Sequence, residues 1–199
     1  MASERASPTG VLLLSGRRGS PDRNEDEPVD GDQLLFDFET DFAGTLRCIP
    51  MIVRLKLDLC GVKLSLRQWS RFSLSDREEL VARGCEGQAD VEAYRIFLVD
   101  LILVRAHEAA VDAPLEDSPA WRDISQVPER VLAQARVLQL PAPSTDQWRE
   151  LTQLQRFALV KLARPGHDND NFLPAMREFR LLDQRWGSDF EPAMLDGVG

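Results

Sequence analysis

Long apolar runs, clustered cysteines, histidine and positive charge are all scarce in this sequence, and each shortage closes off a class of protein. The longest apolar stretch, Ile96 to Val104, is interrupted by Asp100, well short of the roughly 20 residues a bilayer-spanning helix needs. Near the N-terminus only Val11 to Leu14 are consecutively apolar, too few for the h-region of a secretory signal. The expectation is a cytoplasmic protein with no membrane partner. The 3 cysteines, Cys48, Cys60 and Cys85, are odd in number and lack CxxC pairing, so neither a disulfide framework nor a zinc ribbon is expected. Lys and Arg number 24 against 33 Asp and Glu, a net charge of -9. Such a chain is repelled by phosphate polymers, which argues against a nucleic-acid partner.

Complete catalytic signatures are missing as well. His107 and Glu108 begin an HExxH pattern, but Val111 stands where the second zinc-binding imidazole belongs. Asp168 to Asn171 resemble the start of a calcium loop, yet Phe172 occupies a position that requires oxygen. The glycines between Gly10 and Gly19 lack the Gly-Lys-Ser/Thr of a phosphate loop, and no G-x-S-x-G elbow is present. Cys48, Cys60, Cys85, His107 and His167 are scattered donors without a recognised ligand spacing. No metal and no resident cofactor are expected.

What is present is the material of one helical domain. Residues 1–33 are rich in Gly, Pro, Ser and charge, with no sustained period, and read as a flexible N-terminal tail. Residues 188–199 read as a flexible acidic C-terminal tail. Each tail carries -3, and the segment 34–187, with 20 basic and 23 acidic residues, is close to balanced. That segment is expected to fold as a single domain, burying about two-thirds of its unfolded surface.

Ser65 with Gln68, Ser75 with Glu78 and Ser144 with Gln147 have the spacing of capping boxes, in which each side chain satisfies an otherwise open backbone N–H. They predict helices near 65–73, 75–83 and 145–164. Further helices are expected at 90–109, at 128–140 behind Pro128, and at 172–184. The 90–109 segment is apolar on nearly every face and is expected at the centre of a bundle. Asp100 within it either pairs with a cation from another helix or serves proton transfer or ligand binding. Residues 53–66 are ambiguous. Val53, Leu55, Leu57 and Leu59 alternate with polar residues as a strand would. A helix started by Pro50 and ended by Gly61, with Arg54 and Asp58 at i, i+4, fits better with its helical neighbours. The fold expected is mainly α, a compact bundle of about five to seven helices, with a short β-hairpin near 53–66 as the alternative.

Two ordered blocks carry a family resemblance. The first, within FDFETDFAGTLRCIPMIVRLKLDLCGVKLSLRQWSRF from Phe36 to Phe72, includes Leu46 to Met51, Val53-Arg54, Lys56 to Asp58, Gly61, Lys63-Leu64 and Trp69. The second runs Arg156 to Leu162, then Pro165 to His167, Asn171-Phe172 and Ala175 to Phe179. Together they resemble the nitrate-reductase-associated protein family. The resemblance implies a part in nitrate assimilation and a molybdenum-dependent assimilatory nitrate reductase as partner, but no catalytic residue.

Candidate partner contacts follow from those blocks. The Arg47-Cys48-Ile49-Pro50 segment is either an exposed contact point for the reductase or its cofactor, or a turn that starts a helix. Arg54, Lys56, Lys63 and Lys161 offer cations that suit the phosphates of a molybdopterin nucleotide, or simply decorate solvated helix faces. Asp58 shares the side of Arg54. Trp69 is a contact candidate or, like Trp121, Trp148 and Trp186, a core or rim anchor. His167, in a Pro-Gly-His-Asp-Asn loop, either touches a partner or fixes the loop. The expected function is a non-catalytic accessory protein that binds nitrate reductase and supports its maturation or activity. The alternative is a protein or enzyme that binds or delivers the molybdenum cofactor.

Overall fold

Helix α1, Met51–Cys60, is the element around which the others are arranged. The computed structural model describes residues 34–39, 45–164 and 170–182. The tails assigned to 1–33 and 188–199, and His167 with its loop, lie outside the described residues. A short 3-10 turn at Asp37–Glu39 precedes α1. After it come β1 (Val62–Lys63), α2 (Leu66–Arg71), α3 (Leu74–Ala82), α4 (Gln88–Leu101), a π turn (Ile102–Ala106) and β2 (Val111–Asp112). The chain continues with α5 (Glu129–Val137), α6 (Thr145–Glu150), α7 (Gln153–Leu162) and α8 (Phe172–Glu178). Eight α-helices thus lie among the described residues, with a single pair of strands, and the fold is mainly helical.

The alternation at 53–59 belongs to a helix after all. Residues two apart on a helix point about 200° apart, so an apolar residue at every second position covers two opposite faces. Met51 and Leu55 join one hydrophobic cluster, with Phe36, Trp121, Val131, Trp148, Phe157, Phe172 and Phe179. Val53, Leu57 and Cys60 join another, with Trp69, Leu80, Tyr94, Leu98 and Ile102. Helix α1 is the wall the two clusters share, and Arg54 and Asp58 fall on its remaining, outward side. Gly61 ends the helix in the left-handed conformation (φ 66°), its N–H donating to the Leu57 carbonyl at 3.0 Å. The hairpin alternative does not form. Val62–Lys63 instead pairs antiparallel with Val111–Asp112, Val62 opposite Asp112 and Lys63 opposite Val111.

The expected central helix at 90–109 proves peripheral. Helix α4 and the π turn bury Tyr94, Leu98, Leu101, Ile102 and Ala106 on one side. On the other, Ile96 is 64%, Leu103 58% and Val104 61% exposed. The central place is taken by α1, so α4 needs only one covered face. The wider π turn brings Ala106, rather than Arg105, round to the buried side. Arg105 is left to grip Asp76, with Nε to Oδ2 at 2.8 Å and Nη2 to Oδ1 at 3.0 Å. Asp100 lies exposed, so the buried ion pair considered for it is not formed.

Two helix starts also differ from the sequence reading. Helix α3 is capped by Ser73 with Asp76 rather than by Ser75 with Glu78: Asp76 Oδ2 accepts from the Ser73 N–H at 2.8 Å and holds Arg105 as well. The helix expected over 145–164 is two helices. Leu151 is extended, and Thr152 opens α7 with Gln155 in a capping box of its own. Arg156 holds the break by donating to the Trp121 and Leu151 carbonyls. The boxes at Ser65 and Ser144 form as the spacing predicts.

Candidate functional site

The segment Leu46 to Pro50 enters α1 through a bend that is fixed from several sides. Leu46 is buried and adopts φ 45°, a left-handed conformation unusual for leucine. Its carbonyl accepts from Trp69 Nε1 at 2.7 Å and from Arg77 Nη1 at 3.2 Å, and Arg77 also donates to the Thr45 carbonyl at 3.1 Å. Arg77 lies over the Trp69 ring, 5.6 Å from its centroid. At the other end, Glu39 Oε1 accepts from the Met51 N–H at 2.8 Å and so caps α1 from outside the helix. Ile49 and Pro50 are buried, while Arg47 is exposed and Cys48 half-buried. Backbone strain of this kind persists only where the surroundings over-determine it. Here they present Arg47 and Cys48 on a rigid turn.

Beside that turn runs the outward side of α1. Arg54 Nε donates to the Ile49 carbonyl at 3.0 Å. Asp58 pairs with Lys161 of α7 at 2.7 Å, and Lys161 Nζ sits 5.1 Å from the centroid of the Phe157 ring. Thus Arg47, Cys48, Arg54, Asp58 and Lys161 are distributed over the start of α1 and the seam between α1 and α7. Lys63 is exposed on β1, and His167 lies outside the described residues.

Lys56 and Trp69 go elsewhere. Trp69 is fully buried. Lys56 is only 5% exposed, and its Nζ donates to the carbonyls of Leu80, Val81 and Arg83 at 3.3, 2.7 and 2.7 Å. It therefore closes the C-terminal end of α3, whose last carbonyls have no partner within the helix. Burial brings the Lys56 ammonium down to about 8. Around it, burial pushes the Cys85 thiol up to about 11 and raises the Cys60 thiol and the Tyr94 phenol. Thiols kept protonated in this way are poor nucleophiles. Neither Lys56 nor Trp69 can reach a partner surface from the interior.

A second carboxylate works like Glu39. Glu178 of α8 accepts from the N–H groups of Asp37 and Phe38 at 2.9 and 3.2 Å, tying the 3-10 turn to α8. Beside it Phe36 and Phe38 stack, and Phe179 meets them tilted and edge-on. Burial raises both Glu39 and Glu178 above the ordinary carboxylate range. The structural roles of Glu39 and Arg77 were not apparent from spacing, because each acts on a backbone group far away in sequence. Among the described residues, no three His, Cys, Asp or Glu side chains cluster as metal ligands, and no helix is long and apolar enough to cross a membrane.

A family model described as conserved nitrate reductase-associated protein matches residues 35–179. No curated protein and no solved structure matches the chain.

Proposed function

Because the chain belongs to the conserved nitrate reductase-associated protein family, we propose that it is a non-catalytic accessory protein of the cytoplasm, one that binds nitrate reductase and supports the maturation or activity of the molybdenum-dependent assimilatory enzyme. The observation that carries this reading is the extent of the match. It runs from Leu35 to Phe179, taking in α1, the turn at Leu46 to Pro50 and both hydrophobic clusters except Leu181 and the adjoining Leu182. The rigid presentation of Arg47 and Cys48 supports a contact role, since a preorganised surface loses little entropy on binding.

The placement of the cations favours this over cofactor delivery. Lys56 is committed to three carbonyls, Lys161 to Asp58, and Arg54 to the Ile49 carbonyl. A phosphate site built on Lys56 would have to break all three of its contacts, and one built on Lys161 would compete with Asp58, whereas Lys63 of the same set is exposed. The test is deletion of the gene with nitrate reductase activity measured beside reductase protein level. Low activity at normal protein level is expected, and unchanged activity overturns the proposal. Calorimetry with the isolated molybdenum cofactor separates the alternative: micromolar binding would move the assignment to cofactor handling.

A further inference from the structure

The outward face of α4 and the π turn carries Ile96, Asp100, Leu103 and Val104, all exposed. Spacings of four and three place Ile96, Asp100 and Leu103 in one row about 10 Å long, with Val104 alongside. Single exposed leucines are ordinary on any surface, but three large aliphatic side chains grouped on one helix face form a patch of the kind found at interaction sites. In the middle of the row sits a carboxylate. Among the described residues Asp100 has no ion pair, and the arginines on its own helix and the adjoining turn are occupied. Arg95 Nη2 holds Asp112 at 2.6 Å, its Nη1 donates to the Cys60 and Gly61 carbonyls, and Arg105 grips Asp76.

This charge pattern selects among occupants. Two copies of the chain pairing about a two-fold axis through the middle of the row would set Asp100 against Asp100 and desolvate like charges. A membrane surface would place the carboxylate against anionic headgroups or acyl chains. A protein surface with apolar side chains around one arginine or lysine satisfies both the aliphatic row and its central charge. Building on the reading of the chain as a reductase-binding protein, we infer that the Ile96–Asp100–Leu103–Val104 row is a second docking face for the nitrate reductase polypeptide, separate from the Arg47–Cys48 turn, and that the reductase supplies a cation to Asp100.

The test uses purified reductase, cofactor-free and loaded, and the full chain with its variants Ile96→Ser, Asp100→Lys, Asp100→Asn, Leu103→Glu and, away from the row, Arg47→Glu. Ile96→Ser, Leu103→Glu and Asp100→Lys should each weaken binding about tenfold or more, as central contacts do. Asp100→Asn should flatten its salt dependence. All four row positions are exposed, so circular dichroism and thermal midpoints should stay at the parent values; if Leu103→Glu disturbs the fold, Asp100→Lys and Ile96→Ser still decide. Binding by the parent chain with unchanged affinity in the row variants overturns this docking face and leaves the accessory reading standing. Loss of binding only in Arg47→Glu would move the contact to the turn before α1. If the parent chain binds neither form of the reductase, the accessory reading falls and its named occupant falls with it. A parent dimer that Leu103→Glu dissolves, with reductase affinity unaffected, would assign the row to a second copy and overturn the proposal.

Discussion

Lys56 is only 5% exposed and faces the end of α3 from within the molecule. Its four-carbon stem crosses the apolar side of α1, and its ammonium replaces water at the three carbonyls that end α3. Lys56→Met should therefore cost about 2–3 kcal/mol by leaving those carbonyls without a donor, read from denaturant unfolding at pH 7. The pH dependence has a definite sign. The ammonium titrates at about 8 in the folded chain against the ordinary 10.5, so between those values the folded state holds fewer protons than the unfolded one. Raising the pH through that window then favours folding through this group. The stability gap between the parent and Lys56→Met should widen from pH 8 to 10.5, whereas Cys60, Cys85 and Tyr94, present in both proteins, act oppositely and largely cancel in the difference. A gap that narrows would contradict the assignment. Nothing in the spacing of Arg54, Lys56 and Asp58 tells which of them turns inward. That depends on the end of α3 lying beside α1, which is a tertiary fact.

At the level of elements, local chemistry was read best where it is self-contained. Ser65 with Gln68 and Ser144 with Gln147 close their own boxes, and Gly61 ends α1 as its position after an apolar run suggests. Thr152 with Gln155 has the same signature but lies inside a continuous apolar period, which hides the break at Leu151. The apolar periodicity of 90–109 correctly marks a helix, yet periodicity counts apolar residues without saying how many neighbours are available to cover them. The turn that presents Arg47 and Cys48 was visible only as a Pro-led segment, because its geometry comes from Trp69, Arg77 and Glu39. Two glycines test the local account. Gly61→Ala should cost about 1–2 kcal/mol, the penalty of a left-handed backbone for an L-residue, increased by a Cβ only 3.1 Å from Leu115 Cδ2. Gly84→Ala, where an added Cβ meets nothing within 4 Å, should leave the thermal midpoint within a degree or two.

For the whole molecule, the sharing of α1 by two hydrophobic clusters implies a single unfolding event. Leu55→Ala removes contacts in the cluster of Trp148, and Val53→Ala in the cluster of Trp69. The former should cost roughly 2–5 kcal/mol and the latter somewhat less. In both variants the fluorescence of Trp69 and of Trp148, separated with Trp→Phe replacements, should change at one common midpoint. Distinct midpoints would show that the clusters are independent. The same arrangement sets a rule for the length of the chain. One residue inserted or deleted within 51–60 turns everything beyond it by about 100° around the helix axis. That rotation would swing part of one apolar face outward and carry Arg54 or Asp58 toward a cluster. Chain length between Pro50 and Gly61 is therefore as fixed as side-chain identity, so laboratory libraries that vary length should recover gaps in the exposed 116–118 stretch and none in α1.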